Sequence, residues 1–108
     1  IDNYAQNISE GIIRARYRHS NESPSFLTPG AVHEYEIDLG YTATVFRRGH
    51  RIRLEISSSN FPHFDRNPNT GQAFGEDGQL REATQQIWHD SAHPSQLVLQ
   101  VAPNVRIP

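Results

Sequence analysis

The chain has 108 residues, a formal net charge of −2, 35% hydrophobic residues, and neither Cys nor Met. This length fits one domain, and the interspersed charges argue against a dedicated nucleic-acid surface. The lack of Cys excludes disulfides, thiolate nucleophiles and Cys-ligated metals. All ten basic residues are Arg, which excludes a Schiff-base lysine and a P-loop. No apolar run is long enough to span a membrane, so no membrane partner is expected. The charge distribution predicts no nucleic-acid partner either.

The first half of the chain is predicted to form two strands. Residues 1–10 show no regular pattern and are predicted to be an irregular lead-in. Apolar residues alternate with arginines over 11–18 and with acidic residues over 31–39, which is typical of strands with one buried and one solvated face. The Thr-Pro-Gly sequence of residues 28–30 predicts a turn between them. In an antiparallel pairing, the arginine and acid rows would form cross-strand ion pairs.

The second half continues the same strand-like pattern. The short apolar segment 41–46 fits either a strand or a turn of helix. The Arg-Arg-Gly-His sequence of residues 47–50 predicts a turn into a strand over 50–58. Residues 59–80 read as a long loop rich in Asn, Pro and Gly, and its Asp and Asn side chains predict Asx-turns. Two further strands with weaker alternation are predicted at residues 83–88 and 97–101.

These elements predict an all-β fold, an antiparallel β-sandwich or barrel, because no segment keeps a helical period. A complete sandwich has about seven strands, and fewer are found here. We therefore expect a domain that is incomplete at its N-terminus. The absence of an initiator Met points the same way, to a fragment or processed part of a longer chain.

The residues offer few catalytic candidates. Ser57, Ser58 and Ser59 end a predicted strand, but no G-x-S-x-G elbow surrounds them. Serines at strand ends more often bond to the backbone, so no catalytic residue is expected. The spacing of Asp65, Asn67 and later residues matches a calcium loop only weakly, because glycine is misplaced and no helices flank it.

Two alternative functions stay open from the residues alone. His63 and Asp65 form an H-x-D pair, which with His93 could complete the facial triad of a non-haem iron oxygenase. Aromatic rings, Trp88 among them, together with polar residues of the long loop could instead bind carbohydrate in a free-standing module, although the same mix is typical of a sandwich core with a polar loop. A polar surface loop explains His63 more simply, and His89 and His93 are read as loop histidines that cap backbone groups. No metal and no cofactor are expected.

The most specific stretch of the sequence is residues 49–71, GHRIRLEISSSNFPHFDRNPNTG. It resembles the C-terminal domain of the Xaa-Pro dipeptidyl-peptidase, cocaine esterase and α-amino-acid ester hydrolase family. The resemblance extends to the entry segment 9–18, to the Ile-Trp-His-Asp of residues 87–90 and to the His-Pro-Ser of residues 93–95. Several separated motifs occur in the order in which the family has them.

The resemblance implies a fold and a role. Family members are serine hydrolases with an α/β-hydrolase domain and a C-terminal jelly-roll that is like galactose-binding domains. Residues 11–108 would be the C-terminal part of that single jelly-roll, and their partner would be the catalytic domain. The catalytic triad lies upstream in such proteins, so the chain would be an accessory segment that supports the catalytic domain and shapes substrate access. The resemblance leaves the compartment unknown, a bacterial cytoplasm or periplasm. The loop residues expected either to fix the shape of the loop or to contact the neighbouring domain are Asn60, Phe61, Pro62, Asp65, Arg66, Asn67 and Asn69.

Overall fold

A computed structural model of the chain describes residues 4–73, 75–76 and 78–103. The ends of the predicted lead-in and of the predicted jelly-roll segment, residues 1–3 and 104–108, lie outside the described residues, as do positions 74 and 77 of the long loop. The chain divides into two units, Ile1–Ile52 and Arg53–Pro108. The described part contains no helix with the length and apolar character that crossing a bilayer requires.

Among the described residues of the first unit, the regular element is a 3-10 helix, Ala15–Tyr17. It lies within the segment 11–18 for which alternation predicts a strand. The backbone turns here because Arg18 reaches back to the carbonyl oxygen of Ala15 and across to that of Ser25. No strand is assigned among the described residues. Alternation shows which residues can share a face, whereas a strand also needs a neighbour that accepts its N–H groups.

Two of the predicted turns are present. The amide of Ala31 donates to the carbonyl of Thr28 at 3.1 Å, and Gly30 has a φ of 79°. The amide of His50 donates to the carbonyl of Arg47 at 3.0 Å, and Gly49 has a φ of 87°. A glycine with positive φ at the third position is the signature of a type II turn, so both turn predictions are confirmed.

The lead-in of the first unit runs close to the end of the acidic segment. The Ser9 hydroxyl donates to the carbonyl oxygen of Leu39. Gly11 lies against residues 37 and 38, so closely that a Cβ there would overlap the carbonyl oxygen of Asp38. Residue 9 thus meets residue 39, and residue 11 meets residues 37–38. This order is antiparallel, the relation that the charge rows of segments 11–18 and 31–39 require.

Large apolar side chains remain accessible throughout the described residues. None of them is fully buried. In the second unit, Leu54 is 50% exposed and Ile56 is 51% exposed, and both lie in a segment predicted to be a strand. Side chains of this kind are normally covered by a core or by another surface.

Candidate functional site

The loop singled out by the sequence begins with a compact turn. The amide of Phe64 donates to the carbonyl of Asn60 at 3.0 Å, and the Phe61–Pro62 peptide bond is cis. The guanidinium of Arg66 lies over the Phe61 ring, 4.4 Å from its centroid, and this distance fits a cation–π contact. The turn therefore brings together an aromatic ring and a cation that are five residues apart.

The second part of the loop is fixed to the chain beyond it. The side-chain oxygen of Asn67 accepts a hydrogen bond from the amide of Asn69 at 3.1 Å, which is an Asx-turn. The Asn69 side-chain amide then donates to the carbonyl of Arg81 at 3.0 Å, and the amide of Arg81 donates to the carbonyl of Pro68 at 2.9 Å. We call this pair of bonds the Asn69–Arg81 clamp. It closes the loop across twelve residues.

The backbone at Asn69 suits an asparagine. Its φ of 59° is in the left-handed region, which Asn tolerates better than residues other than Gly. Gly71 follows with a φ of 86°. Asn69 therefore supplies both the bend and the hydrogen bond of the clamp.

The predicted loop residues divide into two groups. Phe61 and Arg66 contact each other, and Asn67 and Asn69 form the Asx-turn. Asp65 is exposed, and no ion pair joins it to Arg66. The proposed interdomain role of Asn60, Pro62 and the others remains a prediction, while the hydrogen bonds show how the loop holds its own shape.

A second cluster lies in the Trp-His-Asp segment near the end of the chain. The Asp90 carboxylate accepts hydrogen bonds from the amides of Ala92 and His93 at 2.9 and 2.8 Å. These bonds, the one from His93 foremost, hold the pKa of Asp90 below its ordinary value of 3.8. The His93 ring lies beside the Trp88 ring with centroids 5.4 Å apart, and the Ser95 hydroxyl donates to the Trp88 carbonyl.

The first unit has a cluster of its own, around an arginine side chain. The Arg18 guanidinium donates to the carbonyls of Ala15 and Ser25 at 3.0 and 2.6 Å and to the Ser25 hydroxyl at 3.3 Å. The Ser25 amide donates to the carbonyl of Arg16 at 2.6 Å. The alternation of residues 11–18 places Arg18 only in a row of arginines and does not indicate this role. The neighbouring Ser-Pro break at residues 23–24 was the signal that the chain turns back here.

The described residues form neither a serine-nucleophile site nor the iron site of an oxygenase. The Ser57 hydroxyl donates to the carbonyl of Ser59 at 2.7 Å, which is the backbone-pairing role expected of it. Among the described residues, no three His, Cys, Asp or Glu side chains are grouped so that they could hold a metal ion. His63, Asp65 and His93 are therefore not brought together, and His63 lies against Phe64 instead, with ring centroids 4.6 Å apart.

The family of X-Pro dipeptidyl-peptidase C-terminal non-catalytic domains matches residues 2–98. Because this match covers most of the chain, the chain belongs to that family, and the resemblance drawn from residues 49–71 is confirmed. A particular relative is the cocaine esterase of Rhodococcus sp. (strain MB1 Bresler), 41% identical over 103 residues. The alignment covers 93% of this chain and 18% of the esterase, so the chain spans less than a fifth of the length of this relative. No solved structure gives a significant match.

Proposed function

We propose that this chain is an accessory segment of a serine hydrolase that cleaves esters or amides. In this proposal it packs against an α/β-hydrolase catalytic domain, supports that domain and shapes access to its active site. The proposal includes the fold, a jelly-roll β-sandwich of which residues 11–108 form the C-terminal part. The reaction itself belongs to residues outside this chain.

The observation that carries the proposal is the match of residues 2–98 to a non-catalytic domain family. The relative named as an esterase supports the class of reaction, and it is more than five times longer than the segment that aligns with this chain. An alignment to so small a share of an enzyme fits a domain that assists catalysis better than one that performs it.

The described side chains support the same role. A serine nucleophile needs a base and an oxyanion site placed around it. The Ser57 hydroxyl instead donates a hydrogen bond to the carbonyl oxygen of Ser59. Half-exposed apolar residues such as Leu54 and Ile56 offer surface that a second domain can cover. The clamped loop keeps Phe61 55% exposed, and aromatic and Arg side chains are frequent in the energetic centre of interfaces.

A segment exchange tests the proposal. The aligned segment of the Rhodococcus cocaine esterase is replaced by this chain, and hydrolysis of a chromogenic ester is compared with that of the esterase lacking the segment. We expect the chimera to recover ester hydrolysis and thermal stability, because the new segment restores the covering surface. A chimera no better than the truncated esterase would refute the accessory role.

A second measurement addresses where the chemistry lies. The purified chain and the chimera are each treated with a fluorophosphonate probe, and labelling is followed by intact mass. We expect the chimera to be labelled and the chain alone to remain unlabelled. Labelling of the chain alone that disappears in Ser57→Ala would show an activated serine in this segment and contradict the proposal.

A further inference from the structure

The turn that contains Asp90 and His93 holds an imidazole between a carboxylate and an indole. The His93 Nδ1 atom lies 3.5 Å from Asp90 Oδ1, and the same ring lies 5.4 Å from the Trp88 ring, centre to centre. The Ser95 hydroxyl closes the turn on the Trp88 carbonyl. The turn thus joins the two segments, 83–88 and 97–101, that the sequence predicts as the last strands.

We propose that this turn is a pH-sensitive switch, in which protonation of the His93 imidazole tightens its contact with Asp90 and Trp88. A neutral imidazole can share a hydrogen bond with the carboxylate but carries no charge. The imidazolium adds an ion pair with the carboxylate and a cation–π attraction to the indole. Both added terms draw the ring toward the same two partners, so the charged form favours the closed turn.

The surroundings of His93 make the sign of the effect clear. Among the described residues, the charged group that faces the ring is the Asp90 carboxylate, and the indole of Trp88 is its aromatic neighbour. The amide hydrogen bonds to Asp90 lower the pKa of that carboxyl, so it keeps its negative charge down to a lower pH than an ordinary aspartate and remains available to an imidazolium. The His93 and Asp90 side chains are 43% and 50% exposed, so protons reach the site freely.

The consequence is a turn whose closure depends on pH. Closure fixes residues 88 and 95 relative to each other; residue 88 ends the first of the two predicted strands, and residue 95 lies two positions before the second. Protonation would therefore favour the pairing of these segments as the pH falls. The effect is local to the second unit and does not depend on the proposed hydrolase role.

The test uses the fluorescence of the full chain, because Trp88 is its single tryptophan. Emission is recorded between pH 8 and pH 5 in dilute buffer. We expect one sigmoidal change with a slope of about one proton, caused by the imidazolium approaching the indole. His93→Gln should abolish the change. His89→Gln, next to Trp88 in sequence, is the matched control and should retain it.

Two further measurements distinguish a fluorescence change that requires the folded turn from one that arises because His93 and Trp88 are close in sequence. Asp90→Asn keeps an acceptor for the turn amides but loses the charge, and should reduce the amplitude. The wild-type chain in concentrated urea should lose most of the change. A change that survives His93→Gln, or that has the same amplitude in urea, overturns the proposal, as does a flat profile.

Discussion

The Asn69–Arg81 clamp makes a prediction that separates two physical terms. Asn69→Ala removes the hydrogen bond to the Arg81 carbonyl. It also places an alanine at a φ of 59°, where it lacks the polar side chain that lets Asn tolerate this conformation. The hydrogen bond contributes about 1 kcal/mol, and the left-handed conformation costs Ala about 1–2 kcal/mol. Asn69→Ala should therefore reduce the free energy of unfolding by about 2–3 kcal/mol. Asn69→Gly keeps the conformational freedom and should cost only about 1–1.5 kcal/mol.

The assay is urea unfolding of the full chain, combined with hydrogen exchange at the Arg81 amide. That amide donates to the Pro68 carbonyl within the clamp, so its exchange reports opening of the clamp directly. Asn7→Ala is the matched control, because Asn7 is exposed and outside the loop. It should leave both the unfolding midpoint and the exchange rate of Arg81 unchanged.

Equal destabilisation by the two substitutions would contradict the prediction, since the cost of the left-handed backbone conformation would then be absent. Unchanged exchange at the Arg81 amide in Asn69→Ala would contradict it as well. In that case the Asn69 side chain would not hold the loop, and the Asn69–Arg81 clamp would not contribute to the stability of the chain.

Three other predictions follow from single contacts. Gly11→Ala should destabilise the chain by about 1–3 kcal/mol in urea, because its Cβ overlaps the Asp38 carbonyl; Gly78→Ala, with open space around it, is the control and should be neutral or slightly stabilising. Arg18→Lys should cost about 1–2 kcal/mol, because an ammonium cannot reproduce the fork of bonds to two carbonyls; an unchanged midpoint would contradict this. The stabilising effect of the Asp90 charge should be present above pH 3.8 and vanish as the pH falls through its lowered pKa. The difference in urea midpoint between the wild-type chain and Asp90→Asn should therefore disappear only in acid, and a difference that persists there would refute the prediction.

Local backbone chemistry was readable from the sequence. The Thr-Pro-Gly and Arg-Arg-Gly-His turns occur where they were predicted, because glycine accepts the positive φ of the third turn position without strain. In the first of them Pro29 also presets φ. The Asx-turn at Asn67 was likewise expected from its residue type. These features involve groups within four residues of each other, so nearby sequence is sufficient to specify them. Family membership was also readable, because motif order along the chain does not depend on the conformation.

Contacts between distant segments could not be read in this way. The partners of Asn69 and Gly11 lie 12 and 27 residues away, at Arg81 and Asp38. The composition of either segment does not indicate which distant residue it contacts. The entropy cost of closing a loop rises only slowly with its length, so it does not single out one partner. The 3-10 helix at Ala15–Tyr17 is likewise accompanied by a bond beyond its own turn, because Arg18, which follows it, donates to the carbonyl of Ser25. The sequence by itself determined the turns and the family. Only the tertiary structure decided which side chains bind distant backbone groups, as Asn69 binds the Arg81 carbonyl, because such bonds depend on where remote groups lie in space.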